Sequence, residues 1–298
     1  MAKLWTNRIV LPCCGEHRPM SPPTTTLPSG AELPLVGIGT WNIDGDTVRE
    51  SVRAGLDAGY GHIDTAEGYR NEREIGDVLS EYDREDVFLT SKVLPKNLDY
   101  ESVIAACEAS LERLGTEHLD LYLIHWPNPA ISLRETLDAM ATLHDEGTVR
   151  NIGVSNFDAY QLSCARHIAD VPIAVNQVEY HPWNTQDALL EYCRGTETVI
   201  EAAAPFGRTE VFADETVQDI AEAYDRSPAQ IILKWAVENE IVVLPKSTSP
   251  EHVRSNLDLF DWTLDEEDRD RLDAIDHHQP VYDLPTRDWT DDTYGIAE

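Results

Sequence analysis

The chain has 298 residues, 42% of them apolar, and sets 23 Lys and Arg against 55 Asp and Glu for a formal net charge of −32. A field of that sign repels phosphate backbones and anionic headgroups, and no basic patch relieves it, so nucleic acid and membrane surfaces are excluded as partners. No window approaches the roughly 18 uninterrupted apolar residues of a spanning helix, and the length suits either two ordinary domains or one α/β barrel.

Residues 1 to 19 differ from the rest, with Lys3, Arg8 and Arg18 against Glu16 alone. The run Ile9, Val10 and Leu11 stops at Pro12, too short for the core of an export signal. Cys13, Cys14, Glu16 and His17 match no standard metal spacing, so the segment reads as a disordered leader and Met20 as the start of the working protein. Residues 20 to 298 are expected to form a single domain.

From residue 35 onward, short β-branched runs alternate with longer segments of helical period. The expected strands are Leu35–Gly39, His62–Asp64, Val87–Lys92, Asp120–His125, Asn151–Ser155, Ile173–Gln177, Val199–Ala203 and Ile241–Leu244. Between them, Ile104, Cys107, Leu111 and Leu114 repeat at helical spacing after Asp99. Ser132 and Glu135 spell a capping box ahead of Leu133, Leu137 and Met140, and Gly147 sits where that helix should end. A last helix is expected after Thr263 and Glu266, followed by an acidic tail whose Trp289 could fold over the barrel mouth. Eightfold alternation without an internal linker predicts one closed (β/α)8 TIM barrel of the α/β class, with an open doubly wound sheet as the alternative.

In such a barrel chemistry collects where the strands end. The strand ends here read Asp64, Lys92, His125, Ser155 with Asn156, Gln177, and Lys246 with Ser247. Any one of these could be a satisfied structural polar group, but their convergence on one layer points to a site.

The run Gly61-His62-Ile63-Asp64-Thr65-Ala66-Glu67-Gly68-Tyr69-Arg70-Asn71-Glu72 resembles the aldo-keto reductase family, whose signature D-T-A-x-x-Y-x-N-E it carries from Asp64 to Glu72. The likeness continues through Gly37-Ile38-Gly39-Thr40-Trp41, Ser91-Lys92, Leu123-Ile124-His125-Trp126-Pro127 and Gly153-Val154-Ser155-Asn156-Phe157. It resumes at Asn176-Gln177-Val178-Glu179-Tyr180-His181-Pro182 and Leu244-Pro245-Lys246-Ser247, and so spans about residues 27 to 280. The resemblance implies reduction of aldehydes or ketones by a nicotinamide cofactor, with Asp64, Tyr69, Lys92 and His125 as the catalytic set. The chemistry is coherent. Hydride addition to a carbonyl leaves an alkoxide that needs a proton, and a phenol of pKa ~10 becomes a better donor beside an ammonium. Lys92 would supply that charge, Asp64 would pair with it, and His125 would orient the carbonyl oxygen.

Neither a Rossmann G-x-G-x-x-G after the first strand nor a P-loop occurs. The resemblance instead implies a cofactor clamp of Ser155, Asn156 and Gln177 on the carboxamide, with Thr40 and Asp64 also in contact. The run Ala203, Ala204, Pro205 and Phe206 would lie along the cofactor, Lys246, Ser247 and Thr248 at its phosphate end, and Asn256 at the adenine. Trp41 and Trp126 would join Tyr69 and His125 as substrate walls. The short loop after His125-Trp126-Pro127 predicts an open rim, as in prokaryotic members resembling diketogluconate and methylglyoxal reductases, suited to small aldehydes or keto sugars.

Two departures stand out. Ala203 occupies the position of an aromatic that stacks on the nicotinamide, and Ala204 that of a serine near the pyrophosphate. His252 stands where an arginine commonly meets the 2′-phosphate, with Arg254 nearby, so NADPH is expected as the preferred cofactor and NADH as an accepted one. Two alternatives remain beside the reductase: a non-catalytic nucleotide-binding regulatory barrel, and a lyase forming a Schiff base on Lys92. The chain has only five lysines, Lys3, Lys92, Lys96, Lys234 and Lys246, and an odd set of cysteines, Cys13, Cys14, Cys107, Cys164 and Cys193, without a C-x-x-C pair. Acidic surface and free thiols predict a cytoplasmic, salt-adapted monomer with no metal, acting on a small-molecule carbonyl substrate.

Overall fold

The computed structural model describes residues 22–275 and 277–282. The chain enters through an antiparallel hairpin, β1 (Thr24–Thr26) and β2 (Glu32–Pro34). Then follow β3 (Ile38–Gly39), α1 (Gly45–Ala58), β4 (His62–Asp64), α2 (Glu72–Leu79), β5 (Phe88–Val93), α3 (Tyr100–Leu114), β6 (Leu121–Ile124) and α4 (Leu133–Asp145). The second half runs β7 (Ile152–Ser155), α5 (Ala159–Ile168), β8 (Ile173–Glu179), α6 (Asp187–Arg194), β9 (Val199–Ala203), α7 (Glu215–Tyr224), α8 (Pro228–Glu238) and β10 (Val242–Val243). Two short helices, α9 (Pro250–Ser255) and α10 (Glu266–Asp273), follow.

Strands β3 to β10 form one eight-stranded parallel sheet in sequence order. Closure comes from a parallel bridge between Val36 and Val243, with Val243 N–H donating to Leu35 O and Gly37 N–H donating to Val243 O, each at 2.9 Å. The α/β class and the eightfold barrel follow the sequence expectation. Every strand from β4 to β8 is buried along its whole length, as expected for a parallel sheet covered on both faces. The hairpin covers the N-terminal end, where Ser29 Oγ lies 2.6 Å from Asn151 Oδ1 at the start of β7. The opposite end is left to the loops.

Two expected caps do not form. Ser132 makes no side-chain cap, and Glu135 Oε1 accepts from Tyr100 N–H of α3 instead of closing a box. The Thr263 box is absent too, because α10 begins from Asp265. Reciprocal boxes form at Asp158 with Gln161 and at Ser227 with Gln230, where the third residue is Gln in each case.

The Gly37-Ile38-Gly39 run is a feature of the barrel seam. A Cβ on Gly39 would stand 2.8 Å from the Leu244 carbonyl oxygen, and one on Gly37 would stand 2.6 Å from His62 Nδ1. Backbone cannot swing aside like a side-chain tip, so Gly39→Ala should destabilise the fold by about 1–3 kcal/mol, the usual cost of overpacking. Urea unfolding checks this, and an unchanged midpoint would mean the seam yields freely.

Candidate active site

The loops at the C-terminal ends of the strands converge on a pocket of about 300 Å³. Its walls include Trp41, Tyr69, His125, Trp126, Ser155, Asn156, Gln177 and Ala203, all named from the sequence, together with Arg208, Val281 and Tyr282.

At its floor is a buried ion pair. Lys92, fully buried on β5, sets Nζ 2.7 Å from Asp64 Oδ1 at the end of β4. The same nitrogen donates to Thr65 O at 2.9 Å and to Tyr69 Oη at 3.2 Å. Three acceptors take the three hydrogens of an ammonium, which fits a cation and argues against an amine nucleophile. Tyr69 lies edge-on to His125, with ring centroids 5.4 Å apart.

The signature around Tyr69 divides into chemistry and scaffolding. Tyr69 sits on a single 3-10 turn (Glu67–Tyr69) closed by Arg70 in the left-handed region. The Glu67 carboxylate accepts from the Leu94 N–H and from Asn97 Nδ2, tying the turn to the end of β5. Burial raises the Glu67 carboxyl above its ordinary value, and these two hydrogen bonds oppose the rise. Asn71 donates to Thr40 O and Ile43 O, and Thr65 Oγ1 donates to Asn71 Oδ1. Glu72 is buried between Ser91 Oγ at 2.6 Å and the Arg113 guanidinium. Four polar residues thus fix the position of one phenol.

The clamp residues lie on neighbouring strands. Ser155 Oγ donates to Gln177 O at 2.7 Å, and Asn156, held at φ 62°, donates from Nδ2 to His125 O at 2.9 Å and to Ser155 Oγ at 3.0 Å. Thr40 Oγ1 donates to Asp64 O at 2.8 Å. Ala203, half-buried, presents only a methyl group to the pocket it lines. Ala204, at φ 47°, accepts from Gly207 N–H in the turn that follows, Pro205 is buried, and the Phe206 ring packs on Phe212 at 5.1 Å. Trp41 is 44% exposed and carries the Arg208 guanidinium 5.7 Å from its ring centroid.

The proposed phosphate end is separate from this pocket, at the β10–β3 seam. Ser247 O accepts from Ser51 Oγ of α1, Thr248 and His252 are exposed, and Asn256 is buried at the end of α9. Lys246 is half-buried with no carboxylate partner among the described residues, which suits an anionic ligand on so acidic a chain. Arg254 turns back to its own helix, donating to Pro250 O at 3.3 Å. Fixed side-chain amide and hydroxyl groups around the pocket and an unneutralised cation at the separate seam form a polar set that fits a phosphorylated nicotinamide dinucleotide.

Sequence reasoning missed the layer beneath. Glu201, fully buried in β9, accepts from Gln177 Nε2 at 2.9 Å, and the same nitrogen donates to Asp64 Oδ2 at 2.9 Å. His62 Nε2 is 3.1 Å from Thr90 Oγ1 and 4.0 Å from Glu201 Oε1. Burial pushes the Glu201 carboxyl up to about 8, with Asp64 adding to the rise, and holds the His62 imidazole down to about 3, with Lys92 adding to the fall. A glutamate in the middle of an otherwise apolar strand was the available signal.

The mouth is also bounded by residues 281 and 282. Glu179 accepts the Val281 N–H at 2.6 Å and the Tyr282 N–H at 2.8 Å, and Tyr282 packs edge-on to Trp126 at 5.7 Å. Trp289 and residues 1–19 lie outside the described residues. Among the described residues no helix is long and apolar enough to cross a membrane.

The model of the aldo/keto reductase family matches residues 35–277. A glyoxal reductase of Bacillus subtilis is 40% identical over 87% of this chain and 94% of its own length. Among solved structures, an aldo-keto reductase from a Medee basin deep-sea metagenome superposes with a TM-score of 0.85 at 37% identity, covering 87% of this chain and 97% of that one. A Bombyx mori aldo-keto reductase in complex with NADP superposes with a TM-score of 0.85 at 31% identity, covering 93% and 99%.

The raised Glu201 value has a signed consequence. Its contribution to stability is whole below about pH 4.5, its ordinary value, and is lost as pH rises toward 8. Glu201→Gln cannot ionise, so its melting temperature should gain on wild type progressively across that window. Thermal unfolding at several pH values checks this, and a difference that stays constant with pH would contradict it.

Proposed function

The chain belongs to the aldo/keto reductase family, and from that premise we propose that it reduces small aldehydes and keto sugars to alcohols, with Tyr69 as the proton donor. It is an oxidoreductase acting on small carbonyl compounds, and its cofactor is NADPH/NADP. The bound cofactor supplies the hydride. The observation that carries the assignment of Tyr69 is its hydroxyl 3.2 Å from a fully buried ammonium, inside the pocket that His125 also lines.

The chain's own residues divide the work as follows. His125 and Tyr69 present hydrogen-bonding groups to the carbonyl oxygen, orienting the carbon toward the clamp of Ser155, Asn156 and Gln177. As negative charge grows on that oxygen, Tyr69 releases its proton to it. The Lys92 ammonium, 3.2 Å away, stabilises the phenolate left behind, and Asp64 balances Lys92 when no reaction is under way. Trp41, Trp126 and Tyr282 supply apolar walls that narrow the pocket without lengthening it, in keeping with small substrates. The B. subtilis relative is named for a two-carbon dicarbonyl, and glyoxal is the first substrate to try.

At the other end, Lys246 offers a point charge to the 2′-phosphate, with Ser247 and Thr248 beside it and Asn256 toward the adenine. Exposed His252 adds a weaker donor than the planar fork of an arginine, so NADPH is preferred and NADH is accepted. Loss of the stacking aromatic at Ala203, and of a serine hydroxyl at Ala204, lowers cofactor affinity by about 0.5–1.5 kcal/mol for the missing stack alone. The acidic surface and the free thiols of Cys107, Cys164 and Cys193 suit a salt-adapted monomer working in a reducing cytoplasm.

Tyr69→Phe tests the assignment. NADPH oxidation with glyoxal, followed by absorbance in molar salt, should fall by about 100-fold or more, the scale of a lost general acid, while NADPH still binds. Turnover within a few-fold of wild type would remove Tyr69 from its role.

A further inference from the structure

Gln177 reaches two acidic side chains with one atom. Its Nε2 stands 2.9 Å from Asp64 Oδ2 and 2.9 Å from Glu201 Oε2, and all three side chains are buried. Asp64 is paired with the Lys92 ammonium, so the Gln177 atom that faces it has to be a donor. A primary amide nitrogen carries two hydrogens, and here both are committed. The carbonyl oxygen is the part of this amide left for the pocket that Gln177 lines beside Tyr69, His125, Ser155 and Asn156.

Asp64 decides which end of the amide faces it, but one hydrogen bond does not fix the amide plane. The terminal torsion of a glutamine is broad, so an amide held by one hydrogen can swing about that bond and carry its oxygen out of line with the pocket. Glu201 removes that freedom from the opposite side. Among the described residues it holds no other hydrogen-bond partner: Oε1 is 4.0 Å from His62 Nε2, too far for a hydrogen bond, and His62 is already engaged with Thr90. A buried carboxyl is costly unless it serves a partner, and the one served here is Gln177.

We propose that Glu201 is a positioning residue for cofactor binding: it takes the second Gln177 hydrogen and so presents Gln177 Oε1 as an acceptor for the carboxamide N–H of the nicotinamide. The inference rests on the pocket being the nicotinamide site. It predicts selectivity that a merely structural role does not produce. A ligand whose carboxamide is replaced by a methyl ketone has no N–H to give and should be indifferent to Glu201.

Titration of tryptophan fluorescence with NADP+ and with its 3-acetylpyridine analogue, on wild type, Glu201→Leu and Glu201→Gln, reads dissociation constants directly. Glu201→Leu should weaken NADP+ roughly three- to tenfold, the span of one hydrogen bond, and leave the analogue unchanged. Glu201→Gln keeps an acceptor oxygen at the same reach and should retain the wild-type preference. If the leucine variant does not fold, Glu201→Thr, too short to reach Gln177, carries the same comparison. Equal weakening of both ligands, or of neither, overturns the role of Glu201. Failure of wild type to bind NADP+ at all would instead overturn the nicotinamide reading, and this inference with it.

Discussion

A lysine ammonium enclosed in the barrel is the constraint around which the mouth is built. An unpaired cation at full burial would cost several kcal/mol, and removing one partner of such a pair commonly costs 3–5 kcal/mol. Lys92 is therefore held by three acceptors, Asp64, the Thr65 carbonyl and the Tyr69 hydroxyl. Satisfying the charge and placing the phenol are one geometric requirement, since the third acceptor is the hydroxyl we propose as the proton donor. The Glu67 and Asn71 bonds then fix the turn that brings Tyr69 within reach, and Gln177 extends the polar layer from Asp64 across to Glu201.

This arrangement explains why the barrel interior tolerates so many ionisable groups. Lys92 and Asp64 cancel. Burial drives His62 and Glu201 in opposite directions, each toward its neutral form, so the added groups bring hydrogen-bonding capacity without charge near neutral pH. Net charge is kept to the surface, where water and counterions screen it.

Much of this was legible in the sequence, and the limits have physical causes. The eight barrel strands could be read because buried parallel strands are runs of β-branched residues, and their polar ends gave the site. Boundaries shifted where pairing changes character: the first strand was expected from Leu35, but ladder pairing with β4 starts at Ile38, because residues 35 to 37 bond to Val243 across the seam. The entry hairpin was missed although Pro28-Ser29-Gly30 is a turn signal, since strands of three residues carry almost no periodicity. A capping motif states only what a side chain could do, and Glu135 found a better donor in Tyr100 N–H of the neighbouring helix. Glu201 and His62 escaped notice because attention to strand ends passes over polar residues inside strands. Their hydrogen-bond partners, Gln177 on β8 and Thr90 on β5, are on neighbouring strands, but the approach of Glu201 to His62 and of Gln177 to Asp64 becomes visible only when the sheet closes. The separation of Lys246 and His252 from the central pocket likewise depends on the seam.

The central claim is that the ion pair at the floor serves proton delivery and is more than structural support. Single-turnover stopped-flow of an Asp64→Asn variant, loaded with NADPH and mixed with glyoxal, separates the two most directly. The ion-pair account predicts that NADPH oxidation slows by about 100-fold or more, in the range of lost acid catalysis, while the cofactor still loads. A variant that stays folded, binds NADPH and transfers hydride at the wild-type rate would contradict it.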